Sequence, residues 1–251
     1  MKKILFILIL FVPCALYARN YQEGDTIRNI LIITAHPDDW ELSMGGTAYL
    51  LKDRYHIHVI VASDGELGRT WKTTREPEPE MAVMRIGHSE KTAAMIHATN
   101  HFFHLPDGNM QAEMDAVERT ISLLNELDPA IIFLHWPIDK SDHVAISAMA
   151  LMALSRTGMM YDREVYFFEV GNLPHFMPEI YVDITSVWNV KKEMAQIHER
   201  NNDGTIFKIA EDRSLYHGET NHCGYAEGFI PYFPFTSSRN NKKTGCSLFG
   251  L

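Results

Sequence analysis

The sequence predicts an α/β fold: a Rossmann-like, mostly parallel sheet with helices on both faces, in a single domain. Short apolar, β-branched runs alternate along the chain with longer segments of helical periodicity, an order typical of parallel α/β folds. The apolar runs are continuous, which is typical of parallel strands buried on both faces. A chain of 251 residues with 46% hydrophobic residues is long enough to bury one sizeable core.

The predicted elements follow one another from residue 29 to residue 199. The strands share β-branched and apolar runs, and they are residues 29–34, 56–61, 101–105, 130–135, 165–170 and 180–184. The helices share apolar residues at helical spacing, and they are residues 42–51, 80–97, 111–127, 145–155 and 187–199. The polar segment 65–79 carries two prolines and is predicted to be a loop near the ligand site. Residues after Asn201 lack strong periodicity, and we expect them to wrap the surface.

The N-terminus has the three parts of a signal peptide. Lys2 and Lys3 precede a short apolar run, which small residues and Ala18 follow. Residues 1–18 are therefore predicted to be cleaved, leaving residues 19–251 as an exported domain in the periplasm or outside the cell. A buried N-terminal helix is one alternative. A lipid anchor at Cys14 is another, although Phe11-Val12-Pro13 fits a lipobox poorly. The apolar run is too short to span a bilayer comfortably.

Composition narrows the possible partners. The net charge is −9, and no basic cluster lies in the body of the chain, which disfavours nucleic acid and anionic membranes as partners. The three cysteines lack metal-finger spacing, which argues against a disulfide scaffold and a cysteine-rich zinc site.

The first strand runs directly into the motif His36-Pro37-Asp38-Asp39. Ligands of parallel α/β sheets bind at the carboxyl ends of the strands. Because His36 and Asp39 are three residues apart, they can point to one centre, and an imidazole and a carboxylate are good zinc ligands. A catalytic zinc needs a third protein ligand, for which we choose His143, after the strand 130–135. The alternative is a simple capped turn, with Asp as the N-cap of a helix that starts near Glu41.

These segments resemble a known family. Ala35-His36-Pro37-Asp38-Asp39, followed by Gly45-Gly46-Thr47, is similar to the signature of the LmbE/PIG-L family of zinc-dependent N-acetylglucosaminide deacetylases. Supporting similarities continue from about residue 29 to residue 229. They lie at residues 63–68, 103–108, 142–143, 182–185 and 225–229.

The resemblance implies a hydrolase that removes the N-acetyl group from an N-acetylglucosamine-type sugar or conjugate. It implies His36, Asp39 and His143 as the ligands of one divalent zinc ion, which lowers the pKa of a bound water. It implies Asp38 as the general base, which takes the proton of that water and passes it to the leaving amine. Arg85 matches a substrate-binding arginine of the family, and a solvated helix arginine is the alternative.

One position departs from the family pattern. Lys140 stands three residues before His143, where the family usually has a histidine that stabilises the oxyanion. A lysine ammonium can serve an oxyanion as well, or it can simply point to water, in which case His104 is the next candidate. The departure motivates a second hypothesis, a zinc-holding carbohydrate-binding protein without turnover. A third is an amidase that acts on a non-sugar acyl amide.

Overall fold

The computed structural model describes residues 27–70, 72–171, 173, 175–199, 204–232 and 248. The predicted signal peptide and Cys14 lie outside these residues, so cleavage and export stay predictions. Within the described ranges, no helix combines the length and the apolar character that crossing a bilayer requires.

The chain alternates strands and helices as predicted. The strands are β1 (Arg28–Thr34), β2 (Tyr55–Ser63), β3 (Thr99–Leu105), β4 (Ile131–His135), β5 (Glu164–Phe168), β6 (Ile180–Asp183) and β7 (Ala226–Pro231). The helices are α1 (Asp39–Leu51), α2 (Pro79–Met95), α3 (Met114–Leu127), α4 (Ser141–Thr157), α5 (Trp188–Ile197) and α6 (Thr205–Thr220).

The strands form one seven-stranded sheet in the order β3-β2-β1-β4-β5-β7-β6. The first five strands in this order are parallel to one another, whereas β7 runs antiparallel to both β5 and β6. The predicted fold class, mostly parallel α/β, is confirmed.

Two hydrophobic clusters, one on each face of the sheet, explain the continuous apolar runs. In β1, Ile30 and Ile32 belong to the cluster that includes residues of α1, α5 and α6. Leu31 and Ile33 point the other way, into the cluster that includes residues of α3 and α4. Because both faces of β1 are covered by apolar clusters, its central residues are apolar without the alternation with polar residues that a half-exposed strand shows.

The expectation that residues after Asn201 only wrap the surface is wrong. Residues 205–220 form α6, and β7 lies inside the sheet between β5 and β6. The buried side of α6 includes polar residues, among them Arg213, Ser214 and His217. Its hydrophobic periodicity is therefore weak, and the helix was not predicted.

Helix α1 is broken by a kink at Met44, whose φ of −143° is not helical. The second half of the helix begins at Gly45 and Gly46. The Glu227 carboxylate accepts hydrogen bonds from the N–H groups of Gly46 (3.0 Å) and Thr47 (2.7 Å) and pairs with Lys191 at 2.6 Å. It therefore caps the amino end of this half-helix. A side chain at Gly46 would place its Cβ 2.7 Å from Ile184, so the close approach requires glycine.

We predict that Gly46→Ala lowers the free energy of unfolding by about 1–3 kcal/mol, because the added methyl group overpacks the contact with Ile184. Gly87→Ala is the matched control. Gly87 also lies within a helix, and a Cβ added there would have no neighbouring atom within 4 Å. Alanine at this position should leave stability unchanged or raise it by up to about 1 kcal/mol. Urea denaturation measures both. Equal effects at the two sites would contradict the tight packing at Gly46.

Candidate active site

The sheet order reverses between β1 and β4. From β1 the chain proceeds to β2 and β3 on one side, and β4 then returns to the other side of β1. Such a switch point leaves a crevice at the carboxyl ends of the two strands. The motif His36-Pro37-Asp38-Asp39 follows β1, and His135, Asp139 and His143 belong to or follow β4. The topology therefore brings the two predicted parts of the site together.

The turn after β1 is strained. Asp38 has a φ of +116°, in a region that residues with a Cβ seldom occupy. Helix α1 begins at the next residue, Asp39, and the N–H of His36 donates a 2.7 Å hydrogen bond to Asp39 Oδ2. The Asp38 side chain makes no capping hydrogen bond to the helix. The simple capped turn that the sequence left open is therefore wrong.

The three predicted metal ligands converge. His36 Nδ1 and His143 Nε2 lie 3.3 Å apart, and each is 3.5 Å from one oxygen of the Asp39 carboxylate. Ligand atoms held at roughly 2.0–2.1 Å from one zinc ion in a tetrahedron are separated by about 3.3 Å. Two imidazole nitrogens and a carboxylate at this spacing fit a divalent metal ion.

Each histidine of this cluster has a carboxylate on its other ring nitrogen. His143 Nδ1 is 2.5 Å from Asp139 Oδ2. His36 Nε2 is 3.1 Å from both Asp107 and Asp142. Carboxylates in this position orient metal-binding histidines and make them better ligands. The outer carboxylates thus leave His36 Nδ1 and His143 Nε2 facing the shared centre.

The pKa values of the ionisable groups in this cluster are shifted by burial and by the charges of their neighbours. Burial by itself would lower the pKa of His36, but hydrogen bonds to the surrounding carboxylates, first of all Asp107, hold that pKa well above its ordinary value. Burial also acts to lower the pKa of His143, which the charge of Asp39 and the hydrogen bond to Asp139 raise to about 9. Burial acts to raise the pKa of Asp39, but the charge of His143 above all holds it well below its ordinary value.

Arg85 is buried beside the motif, with 4% of its surface exposed, so the solvated alternative is wrong. Its guanidinium pairs with Asp38 Oδ1 at 3.0 Å and donates to the backbone carbonyls of Pro37 and Gly65. Gly65 has a φ of +73°, and a Cβ there would lie 2.1 Å from Arg85 Nη1. The loop after β2 therefore needs glycine to admit the guanidinium. Arg85 orients Asp38, and its predicted contact with substrate stays a prediction.

The two candidates for the oxyanion lie at the rim. Lys140 is exposed at the start of α4, where its backbone N–H donates to Asp139 Oδ1. His104 is also exposed and pairs with Asp64 at 2.9 Å. Among the described residues, His104 is not part of the groups of histidines and carboxylates that converge for a metal ion.

Four residues of the cluster were missed as site residues by sequence reasoning. They are Asp107, His135, Asp139 and Asp142. Asp139 stands four residues before His143, one helical turn away, and this spacing was a usable signal. His135 is the last residue of a buried strand, at the edge of the sheet where the site was predicted, and this position was a weaker signal. Asp107, in the loop after β3, and Asp142, in the first turn of α4, approach His36 only in the folded chain, so their spacing in the sequence did not mark them as partners of His36.

Comparison with known proteins finds a family match over the part of the chain that carries these residues. The model of the family described as PIG-L, GlcNAc-PI de-N-acetylase, matches residues 31–154. The segment that carries His36, Asp39 and His143 thus matches the PIG-L family. The match begins in β1 and ends in α4, so it includes the motif after β1 and the one before His143.

The proteins that are similar to this chain have different activities. A diacetylchitobiose deacetylase from Thermococcus kodakarensis is 23% identical over 226 residues, which is 82% of this chain and 84% of the relative. A 4-oxalmesaconate hydratase from Pseudomonas putida is 26% identical over 185 residues, 65% of this chain and 70% of the relative. The structure of an N,N′-diacetylchitobiose deacetylase from Pyrococcus horikoshii superposes with a TM-score of 0.71 at 18% identity, covering 83% of this chain and 88% of that one.

We predict that Arg85→Met lowers the free energy of unfolding by about 3–5 kcal/mol, because it leaves the buried Asp38 carboxylate without its cation. Arg85→Lys should recover only part of this loss, since an ammonium cannot reproduce the planar fork of the guanidinium. Arg163→Met is the control: Arg163 pairs with Asp128, which is 71% exposed, and the loss should stay below about 1 kcal/mol. Chemical denaturation distinguishes the two sites, and a small effect at Arg85 would contradict its buried pairing.

Proposed function

We propose that this protein is a metal-dependent N-deacetylase of the PIG-L family that releases acetate from an N-acetylglucosamine-type sugar or conjugate. One observation carries the proposal: the convergence of His36, Asp39 and His143 on one centre beside a buried carboxylate, Asp38, that Arg85 holds in place. Three ligands with an adjacent base are the parts that metal-assisted amide hydrolysis needs. The deacetylases among the relatives support the choice of an acetylated amino sugar.

His36, Asp39 and His143 would hold one divalent ion, zinc by its preference for nitrogen and oxygen ligands in a tetrahedron. When bound, such an ion polarises the amide carbonyl and makes a water molecule acidic. The outer carboxylates Asp139 and Asp142 keep the two imidazoles in the ligating orientation.

Asp38 supplies the proton transfers. Its carboxylate takes a proton from the water as the oxygen of the water bonds to the amide carbon. It then gives that proton to the amine as the carbon–nitrogen bond breaks, so that acetate and a free amino sugar leave. The contact with Arg85 fixes the direction of the carboxylate, which makes no capping hydrogen bond to helix α1.

A second candidate is hydration of an unsaturated carboxylate, which the Pseudomonas putida relative motivates. The charge of the site argues against it. Five carboxylates surround the donor centre in the described part of the chain, namely Asp38, Asp39, Asp107, Asp139 and Asp142. Arg85, which is paired with Asp38, and a bound divalent ion would together offset only three of these five charges. A substrate with several carboxylates would be repelled here, whereas a neutral acetamido sugar would not.

The decisive experiment measures acetate release from a panel of N-acetylated sugars by the zinc-loaded protein. We expect turnover, about one zinc ion per chain, and loss of both after chelation. Asp38→Asn should retain zinc and lower turnover by at least about 100-fold. His143→Ala should lose zinc as well as turnover. Metal content by mass spectrometry and acetate by an enzyme-coupled assay give the two readouts.

Each alternative has its own outcome in this experiment. Zinc and sugar binding without acetate release would favour the non-catalytic binding protein. Release of acyl groups from non-sugar amides alone would favour the amidase. Conversion of an unsaturated carboxylate in a parallel assay, with no acetate from any sugar, would favour the hydratase. Full zinc content in His143→Ala would remove His143 from the ligand set.

For Lys140 we predict an effect on turnover without an effect on substrate binding. If its ammonium meets the oxyanion, Lys140→Ala should lower kcat by roughly 100- to 1000-fold and leave KM within a few-fold, because the charge develops only in the transition state. Lys140→His should keep most of the activity. Lys52→Ala is the control, since Lys52 pairs with the exposed Asp53 at the end of α1. Steady-state kinetics decide: a parent rate in Lys140→Ala would transfer the role to another group, His104 first.

A further inference from the structure

We infer that His135 is a positioning residue of the metal centre, which aims the Asp39 carboxylate and supports the ring of His143. This inference rests on the proposed function, because it concerns the same ion. His135 is the last residue of β4 and is fully buried. It has no place in the mechanism described above, although it touches two of the three proposed ligands.

The contact with Asp39 restrains the orientation of its carboxylate. Oδ2 accepts the N–H of His36 at 2.7 Å and faces His135 Nε2 at 3.1 Å. Both oxygens also lie near the shared centre, since Oδ1 is 3.5 Å from His143 Nε2 and Oδ2 is 3.5 Å from His36 Nδ1. Since Oδ2 is held from two directions, the carboxylate cannot rotate without losing both contacts. His135 therefore helps to keep the Asp39 carboxylate directed at the position of the ion.

The hydrogen-bonding options of the imidazole favour one tautomer. His135 Nδ1 is buried and has no hydrogen-bond partner among the described residues. A proton on Nδ1 would leave a buried donor unsatisfied and would set the lone pair of Nε2 against the carboxylate. A proton on Nε2 gives the Asp39 carboxylate a donor and avoids both costs, but it takes away the acceptor of the Ala35 N–H, which points at the same nitrogen from 3.1 Å. Because a hydrogen bond to a charged carboxylate is stronger than one between neutral groups, we place the proton on Nε2.

The second contact is a stack. The rings of His135 and His143 are 4.3 Å apart between centroids and inclined by 20°. Asp139 holds the edge of the His143 ring at 2.5 Å, and His135 covers its face. One buried side chain therefore restrains two ligands by different means, a hydrogen bond to Asp39 and a stack on His143. The two means can be separated by substitution.

The test compares His135→Phe, which keeps an aromatic ring for the stack, with His135→Gln, which keeps an N–H donor. Zinc affinity of the apoprotein is measured by competition with a chelator of known affinity, and folding by thermal denaturation without metal. We expect His135→Phe to weaken zinc binding by roughly 10- to 100-fold, and His135→Gln to weaken it less. His217→Gln is the control, because His217 is equally buried and pairs with Glu169, outside the donor cluster. Its zinc affinity should stay within a few-fold of the wild type.

The outcomes separate this inference from the proposed function. A wild-type chain that binds no zinc overturns the proposed function, and the positioning role with it. A wild-type chain that binds zinc while His135→Phe binds it equally tightly overturns only the positioning role. A histidine nitrogen-15 spectrum of the wild type gives an independent check if His135→Phe does not fold. A proton on Nε2 is expected, and a proton on Nδ1 would contradict the hydrogen bond to Asp39.

Discussion

Buried negative charge at the end of β1 is the constraint on which this part of the molecule depends. Asp38 and Asp39 are both almost fully removed from solvent, and burying a carboxylate is costly unless donors or cations surround it. Arg85 meets Asp38, while His143, His135 and a backbone N–H meet Asp39. These partners come from α2, α4 and β4, so the requirement for compensation ties together elements that are distant along the chain.

The sheet order makes this compensation possible. β4 is a neighbour of β1 because the order reverses there, and this brings His135 at the end of β4 within 3.1 Å of Asp39. The loops after β2 and β3 contribute Gly65 and Asp107 from the other side. The same crevice that the topology leaves for a ligand is thus the place where the charges accumulate. The candidate binding site and the group of buried charges therefore lie at the same place in the fold.

What the sequence could predict depended on how local the signal was. The parallel sheet was predictable, because its continuous apolar runs reflect burial on both faces, and the convergence of His36, Asp39 and His143 followed from strand ends and spacing. The burial of Arg85 was not predictable, since it depends on how α2 packs over the turn after β1. His135, Asp107 and Asp142 were missed because their roles also depend on contacts between segments that are distant along the chain. The segment α6–β7 escaped prediction because α6 turns a partly polar side towards the interior.

The contacts at the kink in α1 show that this helix depends on residues beyond the segment that matches the family. The family match ends at residue 154, but the carboxylate that caps the second half of α1 belongs to Glu227, and the ammonium that accompanies it belongs to Lys191. Gly46 fits against Ile184, which also lies beyond the matched segment. A fragment that stopped at the end of the match would keep the motif and the proposed ligands yet lose the surroundings of the helix that carries Asp39. The segment that defines the family and the cooperative folding unit are therefore different lengths of chain in this molecule.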